Sequence, residues 1–412
     1  MSSPTAYRLA RMTGRDPNEK HRTATPLELL FDLAFVLAIG QASGSFAHLV
    51  AEAHIAAALA GFAFSMFAIC WAWINFTWFA SAYDTDDWFY RLTTMVQLIG
   101  VIVVALGIPA VFESIDHGEH LNNQILVIGY VVMRIALVAQ WLRAAKQDPE
   151  RRATALAYAK YVSIAQLGWL IVGFASLDFW PTIGLALALY AVEMIGPVLA
   201  ERKTSGTPWH PHHIAERYGL LTIITLGEGI FGTVAGVSAI VQEQGWSMEA
   251  VLVIVAGVGL TFGLWWNYFI INAGDTLAEN RTRAWGFGYG HILMFMAVAG
   301  TGAGLHVAAY VIEGQSELGT VGAVVAVGIP VLVFCATIFG IYMFLTRFFD
   351  PFHFWLMAGC VAVVLIALAL AAAGASIGWC LVVLMLSPAV VVVGYETIGH
   401  RHAEARIAQL NS

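Results

Sequence analysis

The sequence predicts an all-α integral membrane protein of about twelve transmembrane helices, and three observations carry that reading. Hydrophobic residues make up 59% of the 412 residues and charged residues 11%, too little polarity to cover a water-facing surface. Apolar runs of about 20 residues recur along the whole chain, each long enough to cross roughly 30 Å of hydrocarbon. Lys and Arg gather in every second connection between those runs, as they do on the cytoplasmic side of an inserting membrane protein.

The runs place helices near 27–50, 55–80, 93–112, 122–143, 155–176 and 180–200, then 214–240, 249–272, 285–312, 318–346, 353–373 and 376–398. The last two are the hardest to separate, because only Ala373 to Ser376 marks the turn. Arg8, Arg11, Arg15, Lys20 and Arg22 precede the first run. Arg91, the group from Arg143 to Arg152, Arg202 with Lys203, Arg281 with Arg283, Arg347 and finally Arg401 with Arg406 then fall in alternate connections. Miscounting one helix would break this alternation, so the expected topology has both termini in the cytoplasm and the chain in the inner (plasma) membrane.

The expected organisation is a cytoplasmic segment over 1–26, a six-helix repeat over 27–200, a cytoplasmic connection over 201–213, a second six-helix repeat over 214–398 and a cytoplasmic tail over 399–412. The parallel six-plus-six duplication rests on short matches. Glu193, Ile195, Gly196, Ala200 and Glu201 recur with the same spacing as Glu396, Ile398, Gly399, Ala403 and Glu404. Trp73, Asn75, Asp84 and Arg91 answer Trp266, Asn267, Asp275 and Arg283 within a residue, and Glu28 and Gln41 answer Glu216 and Glu228. Repeats of this kind commonly place a transporter's working site at their interface.

Composition also excludes. The first 25 residues lack the apolar stretch of a cleavable signal peptide, so insertion is expected to begin with the first helix. All four cysteines, Cys70, Cys335, Cys360 and Cys380, fall inside apolar runs, where they read as packing residues and not a disulfide framework. Lys20, Lys146, Lys160 and Lys203 lie near or outside the bilayer boundary, which argues against a buried retinal Schiff base. No P-loop, GxSxG or HExxH occurs, so nucleotide-driven pumping and the common hydrolase chemistries are not expected, nor is any cofactor. Asp116, His117, Glu119 and His120, and the run Trp209-His210-Pro211-His212-His213, contain metal-ligand types without a zinc spacing and read as solvated connections.

The candidate functional residues are the polar ones inside apolar runs. Thr25-Pro26-Leu27-Glu28 opens the first helix as a capping box, which accounts for Glu28. Asp32 lies one turn deeper on the same face, where capping cannot explain it. Arg134, Glu193 and Glu228 fall nearest the midplane; facing lipid would cost each several kcal/mol, so they are expected to face the interior and pair. Arg134 keeps its charge, and Glu228, between Gly227 and Gly229, is the expected proton carrier. Gln41, Gln97, Asn75, Asn267 and His291 are candidates for hydrogen bonds between helices, and Gln41, the repeat equivalent of Glu228 near the midplane, joins Glu228, Arg134, Glu193 and Asp32 as a transport candidate. The aromatic stretch from Trp71 to Trp78 reads as an interfacial belt, as does Trp265-Trp266.

Thr25-Pro26-Leu27-Glu28-Leu29-Leu30-Phe31-Asp32-Leu33, followed by Phe35-Val36 and Gln41, resembles the opening of the bacterial low temperature requirement protein A (LtrA) family. His213-Ile214-Ala215-Glu216-Arg217-Tyr218-Gly219 with Leu226-Gly227-Glu228 resembles that family's second hallmark. The resemblance implies a role in growth in the cold without a settled substrate or reaction, and it singles out Glu28, Asp32, Glu216, Arg217 and Glu228. Arg217, at the mouth of the seventh helix, is placed to pair with Asp32 or Glu28.

The functional expectation is a secondary transporter or permease of unknown substrate, possible proton coupling running through Glu228 with Arg134 and Glu193. The alternatives are an ion channel, an intramembrane enzyme acting on lipid, and a non-catalytic membrane protein. The expected partners are membrane lipids and a small solute or ion, with no nucleic acid.

Overall fold

The computed structural model describes residues 9–20, 22–118, 120–175 and 177–400, and within them every regular element is helical. The elements are α1 (Pro26–Ala51), α2 (Ile55–Tyr83), α3 (Trp88–His117), α4 (Gln124–Gln147), α5 (Arg152–Phe174), α6 (Phe179–Glu201), α7 (Pro211–Gln244), α8 (Met248–Phe269), α9 (Ala273–Glu279), α10 (Ala284–Ile312), α11 (Thr320–Thr346), α12 (Phe352–Ala372), α13 (Ile377–Leu384) and α14 (Leu386–Gly394). Among the described residues, twelve stretches are long and apolar enough to cross a membrane. Large apolar side chains such as Leu106, Ile135 and Leu187 are more than 60% exposed, which only hydrocarbon tolerates along whole helices.

Several helices run longer than their apolar stretches because polar residues cap them. Asp87 accepts from the backbone N–H of Tyr90, so α3 starts at Trp88 and not near 93. Gly118, at φ 71°, ends the same helix in the left-handed conformation that glycine reaches without strain. Ser247 caps α8 in the same manner through Ala250. The twelfth stretch is interrupted: α13 ends at Leu384, α14 follows, and Tyr395–Gly399 is a single π-helical turn. Glu396 in that turn is exposed whereas its sequence counterpart Glu193 is buried, and Ala403 and Glu404 lie outside the described residues.

The chain divides into two compact units. The first comprises residues up to Ser45 and Leu59–Leu220, hence most of α1 and α2, all of α3 to α6 and the first turns of α7. Within it, α3 and α4 approach closely at glycines: a Cβ on Gly100 would sit 2.6 Å from the Gly129 carbonyl oxygen. The second comprises Phe46–Ala58 and the chain from Leu221 onward. Its core joins Leu260, Leu305, Val327, Val331, Cys380 and Leu384, each at most 2% exposed.

Candidate functional site

The first unit contains a buried charged knot built by three helices. On α1, Glu28 and Asp32 are one turn apart and both wholly buried. Glu28 closes the capping box, its carboxylate accepting from Thr25 N–H at 2.8 Å while its own N–H donates to Thr25 Oγ1 at 3.3 Å. The same carboxylate also faces α7: Arg217 Nη1 lies 3.0 Å from Glu28 Oε1, and His213 Nε2 lies 3.1 Å from it. Capping therefore accounts for only part of what Glu28 does. Arg217 Nη2 donates to Asp32 Oδ1 at 2.5 Å and lies 3.4 Å from Thr77 Oγ1.

From α2, the indole N–H of Trp73 donates to Asp32 Oδ1 at 2.6 Å, and Arg217 sits 5.7 Å over the Trp73 ring. Trp71 and Trp73 are 1% and 0% exposed, so this stretch does not form the interfacial belt its composition suggests. A wholly buried indole needs an acceptor for its N–H, and Trp73 stands at i,i+4 from Thr77, which was the available signal. Trp265 and Trp266, each 38% exposed, do lie at a surface.

Five of the knot's buried atoms have no hydrogen-bond partner among the described residues: Glu28 Oε1, Asp32 Oδ2, His213 Nδ1, and Nε and Nη1 of Arg217. Glu28 Oε1 and Arg217 Nη1 face each other as an ion pair, whereas Asp32 Oδ2 and His213 Nδ1 are lone-pair sites able to accept a proton. Counting charges, Glu28 and Asp32 carry two negatives against the one fixed positive of Arg217, and His213 adds a positive only when protonated. Among these four side chains two carboxylates face one permanent cation, and Asp32 Oδ2 and His213 Nδ1 are two atoms where a proton can sit.

Just outside the knot, His210 precedes α7 as its capping residue. His213 N–H donates to His210 Nδ1 at 3.2 Å, so the neutral ring carries its proton on Nε2, which donates to the Glu19 carbonyl at 2.9 Å. Burial holds this imidazole below its ordinary range. Glu216 accepts from Ala24 N–H at 3.2 Å and stands beside the knot without entering it.

A second network in the same unit spans α4, α5 and α6. Arg134 Nη2 donates to Glu193 Oε2 at 3.2 Å and to Tyr130 Oη at 2.6 Å, and Tyr130 in turn donates to Glu193 Oε2 at 2.6 Å. Trp169 Nε1 and Gln166 Nε2 donate to the other carboxylate oxygen at 2.9 and 3.4 Å. Four donors converge on Glu193, all from α4 and α5, and Glu228 is not among its partners. The expected trio is therefore an Arg134–Glu193 pair in the first unit, with Glu228 in the second.

Glu228, 4% exposed, lies where α10 approaches α7 most closely: a Cβ on Gly302 would come within 2.6 Å of the Glu228 Cβ. In the same unit Asn267 Nδ2 donates to the Pro388 carbonyl in α14 at 3.1 Å. His291 bridges Phe287 O at 2.7 Å and Tyr268 Oη at 3.1 Å, a satisfied core histidine. Asn75 bonds back to Trp71 O on its own helix, at 2.8 Å, and Gln41 lies on an exposed face of α1. Gln97 donates across to Gln140 Oε1 at 3.1 Å. Among the described residues no three His, Cys, Asp or Glu side chains converge as metal ligands would; Glu119 lies outside them.

Twelve helices long and apolar enough to cross a membrane, among the described residues, define a multi-pass membrane protein. The chain matches the bacterial low temperature requirement A protein (LtrA) family over residues 23–388, and it belongs to that family. It is also 25% identical over 348 residues, 78% of each chain, to an uncharacterized protein of Rhizobium meliloti (strain 1021). No solved structure matches it.

Proposed function

We propose that this LtrA-family protein is a proton-coupled secondary transporter of a small solute, and that the Glu28–Asp32–His213–Arg217 knot carries the exchangeable proton. One observation carries the reading: a fully buried cluster with two carboxylates, one guanidinium and two unoccupied proton-accepting atoms. A clamp that only held helices together would balance its charges, because an uncompensated buried charge costs several kcal/mol. An imbalance of one, in a site with places for one proton, suits a group that gains and loses it. Glu193 suits the static role, since four donors from α4 and α5 hold its two carboxylate oxygens.

The short sequence matches between the two halves, among them Glu28 with Glu216 and Gln41 with Glu228, support alternating access if they mark a six-plus-six repeat. The alternating Lys and Arg pattern supports a cytoplasmic location for the end of α1 and α7 that carries the knot.

The test uses proteoliposomes loaded with the pH dye pyranine and challenged with pools of amino acids, sugars, organic acids and amines. A transporter gives proton movement that appears with particular pools and saturates with their concentration. Ion conductance that rises without saturation and ignores the pools would overturn the reading in favour of a channel.

A further inference from the structure

Residues 9–20 contain neither helix nor strand, yet they are bound with a regular pattern. The backbone N–H groups of Ala10, Met12 and Gly14 donate to Asp87 Oδ2 at 3.1 Å, Gln147 Oε1 at 2.6 Å and Asp148 Oδ2 at 3.1 Å. Every second residue is held, with a tight turn between them where Thr13 N–H donates to the Arg11 carbonyl at 3.0 Å, and every acceptor of the three is a side chain at the start of α3 or the end of α4. Arg143, paired with Asp87, donates to the Ala10 carbonyl at 2.7 Å, so one ion pair grips both backbone groups of a single residue. Arg15 N–H then donates to the Ala82 carbonyl at 3.0 Å, and Arg22 Nη2 to the Ala80 carbonyl at 3.3 Å.

This segment forms the layer one turn outside the knot. On α2 the knot uses Trp73 and Thr77, and the segment with the Arg22 that follows it binds Ala82 and Ala80. On α7 the knot uses His213 and Arg217, and the segment binds His210 through the Glu19 carbonyl. On α1 it leads into Thr25, the capping partner of Glu28.

Its attachment is of a kind that opens. Within residues 9–20, Met12 is the one buried side chain, while Leu9 is 56% exposed, so the segment contributes little apolar burial. Its contacts with the helices are mainly hydrogen bonds that water can replace, together with a long Arg15–Asp84 ion pair at 4.0 Å, the signature of a locally unfolding element.

We propose that residues 9–20 are a lid, held through their backbone by Asp87, Gln147 and Asp148, which must lift before water or solute reaches the knot from that side. The proposal rests on the transport reading for its purpose, but not for its test. Thr77→Cys, beside Arg217, and Ala82→Cys, beneath the lid, serve as reporters for a membrane-impermeant maleimide; the four native cysteines are all buried. Met12→Ala weakens the lid from within and leaves the helices untouched, and Asp148→Asn weakens its anchor independently.

Each of these two changes is expected to raise the labelling rate of both the Ala82→Cys and the Thr77→Cys reporter, by roughly fivefold or more. Unchanged labelling of Ala82→Cys would show that the segment is not a lifting element. Faster labelling of Ala82→Cys with Thr77→Cys unchanged would show that it lifts without guarding the knot. Either result overturns the proposal, whereas faster labelling of both reporters in a protein that moves no solute would sink the transport reading and keep the lid.

Discussion

Arg217 Nη2 lies 2.5 Å from Asp32 Oδ1 while its other terminal nitrogen lies 3.0 Å from Glu28, so one guanidinium spans two carboxylates that are one helical turn apart. All three side chains are wholly buried. This fork is the joint between α1 and α7 in the first unit, and lysine cannot reproduce its geometry.

Arg217→Ala is expected to leave two buried carboxylates uncompensated and to cost about 3–5 kcal/mol. Thermal unfolding of the purified protein in detergent would show it as a drop of several degrees. Arg217→Lys should recover part of the loss. Adding Asp32→Asn to Arg217→Ala should make the double variant more stable than Arg217→Ala alone, because one of the stranded charges is gone.

Truncating either partner of the Arg134–Glu193 pair should be similarly costly. Replacing both with Leu is expected to lie much closer to the parent, since a well-packed apolar pair avoids the desolvation of two charges. If the double variant were as unstable as the single ones, the pair would be doing more than balancing charge.

Much of this was legible in the residues, and the failures have particular causes. The twelve crossings follow from run length and from where Lys and Arg fall, two signals that survive without any tertiary information. Arg217 could be matched with Glu28 and Asp32 because the acids share a face by helical spacing and the cation sits at a helix mouth. Trp73 was hidden because buried and interfacial tryptophans have the same composition and differ only in which way the helix faces. Glu228 was grouped with Arg134 and Glu193 because depth along a helix can be read from sequence, whereas lateral position cannot. The lid left no signature, since side-chain acceptors holding a backbone place no demand on the residue types being held.

Gly302 is expected to tolerate no side chain. A Cβ there would press on Glu228 at 2.6 Å, with the Glu228 backbone equally close, so α7 and α10 would have to separate. Gly302→Ala should cost about 1–3 kcal/mol, read as a lower melting temperature, against little change for Gly227→Ala, whose Cβ would meet open space.

Asp84, in the connection after α2, gives a pH dependence with a definite sign. Burial first, then the Glu28 charge, push its carboxyl up from 3.8 to about 6, against the pull of Arg22 and Arg15. The folded protein therefore holds this proton more tightly than the unfolded chain. The resulting stability is fully present below about pH 4 and is lost as pH rises through about 6. The melting temperature of the parent relative to Asp84→Asn should fall between about pH 4 and pH 7, a change on the order of 2 kcal/mol. A difference that stayed flat over that range would contradict the assignment.

The most direct measurement compares solute-driven proton movement in pyranine-loaded proteoliposomes bearing the parent protein, Asp32→Asn or Glu228→Gln. Placing the exchangeable proton in the knot predicts that Asp32→Asn, folded and inserted normally, loses the proton movement by roughly tenfold or more. Undiminished, saturable proton movement in Asp32→Asn, especially with its loss in Glu228→Gln, would contradict that assignment and move the carrier to the second unit.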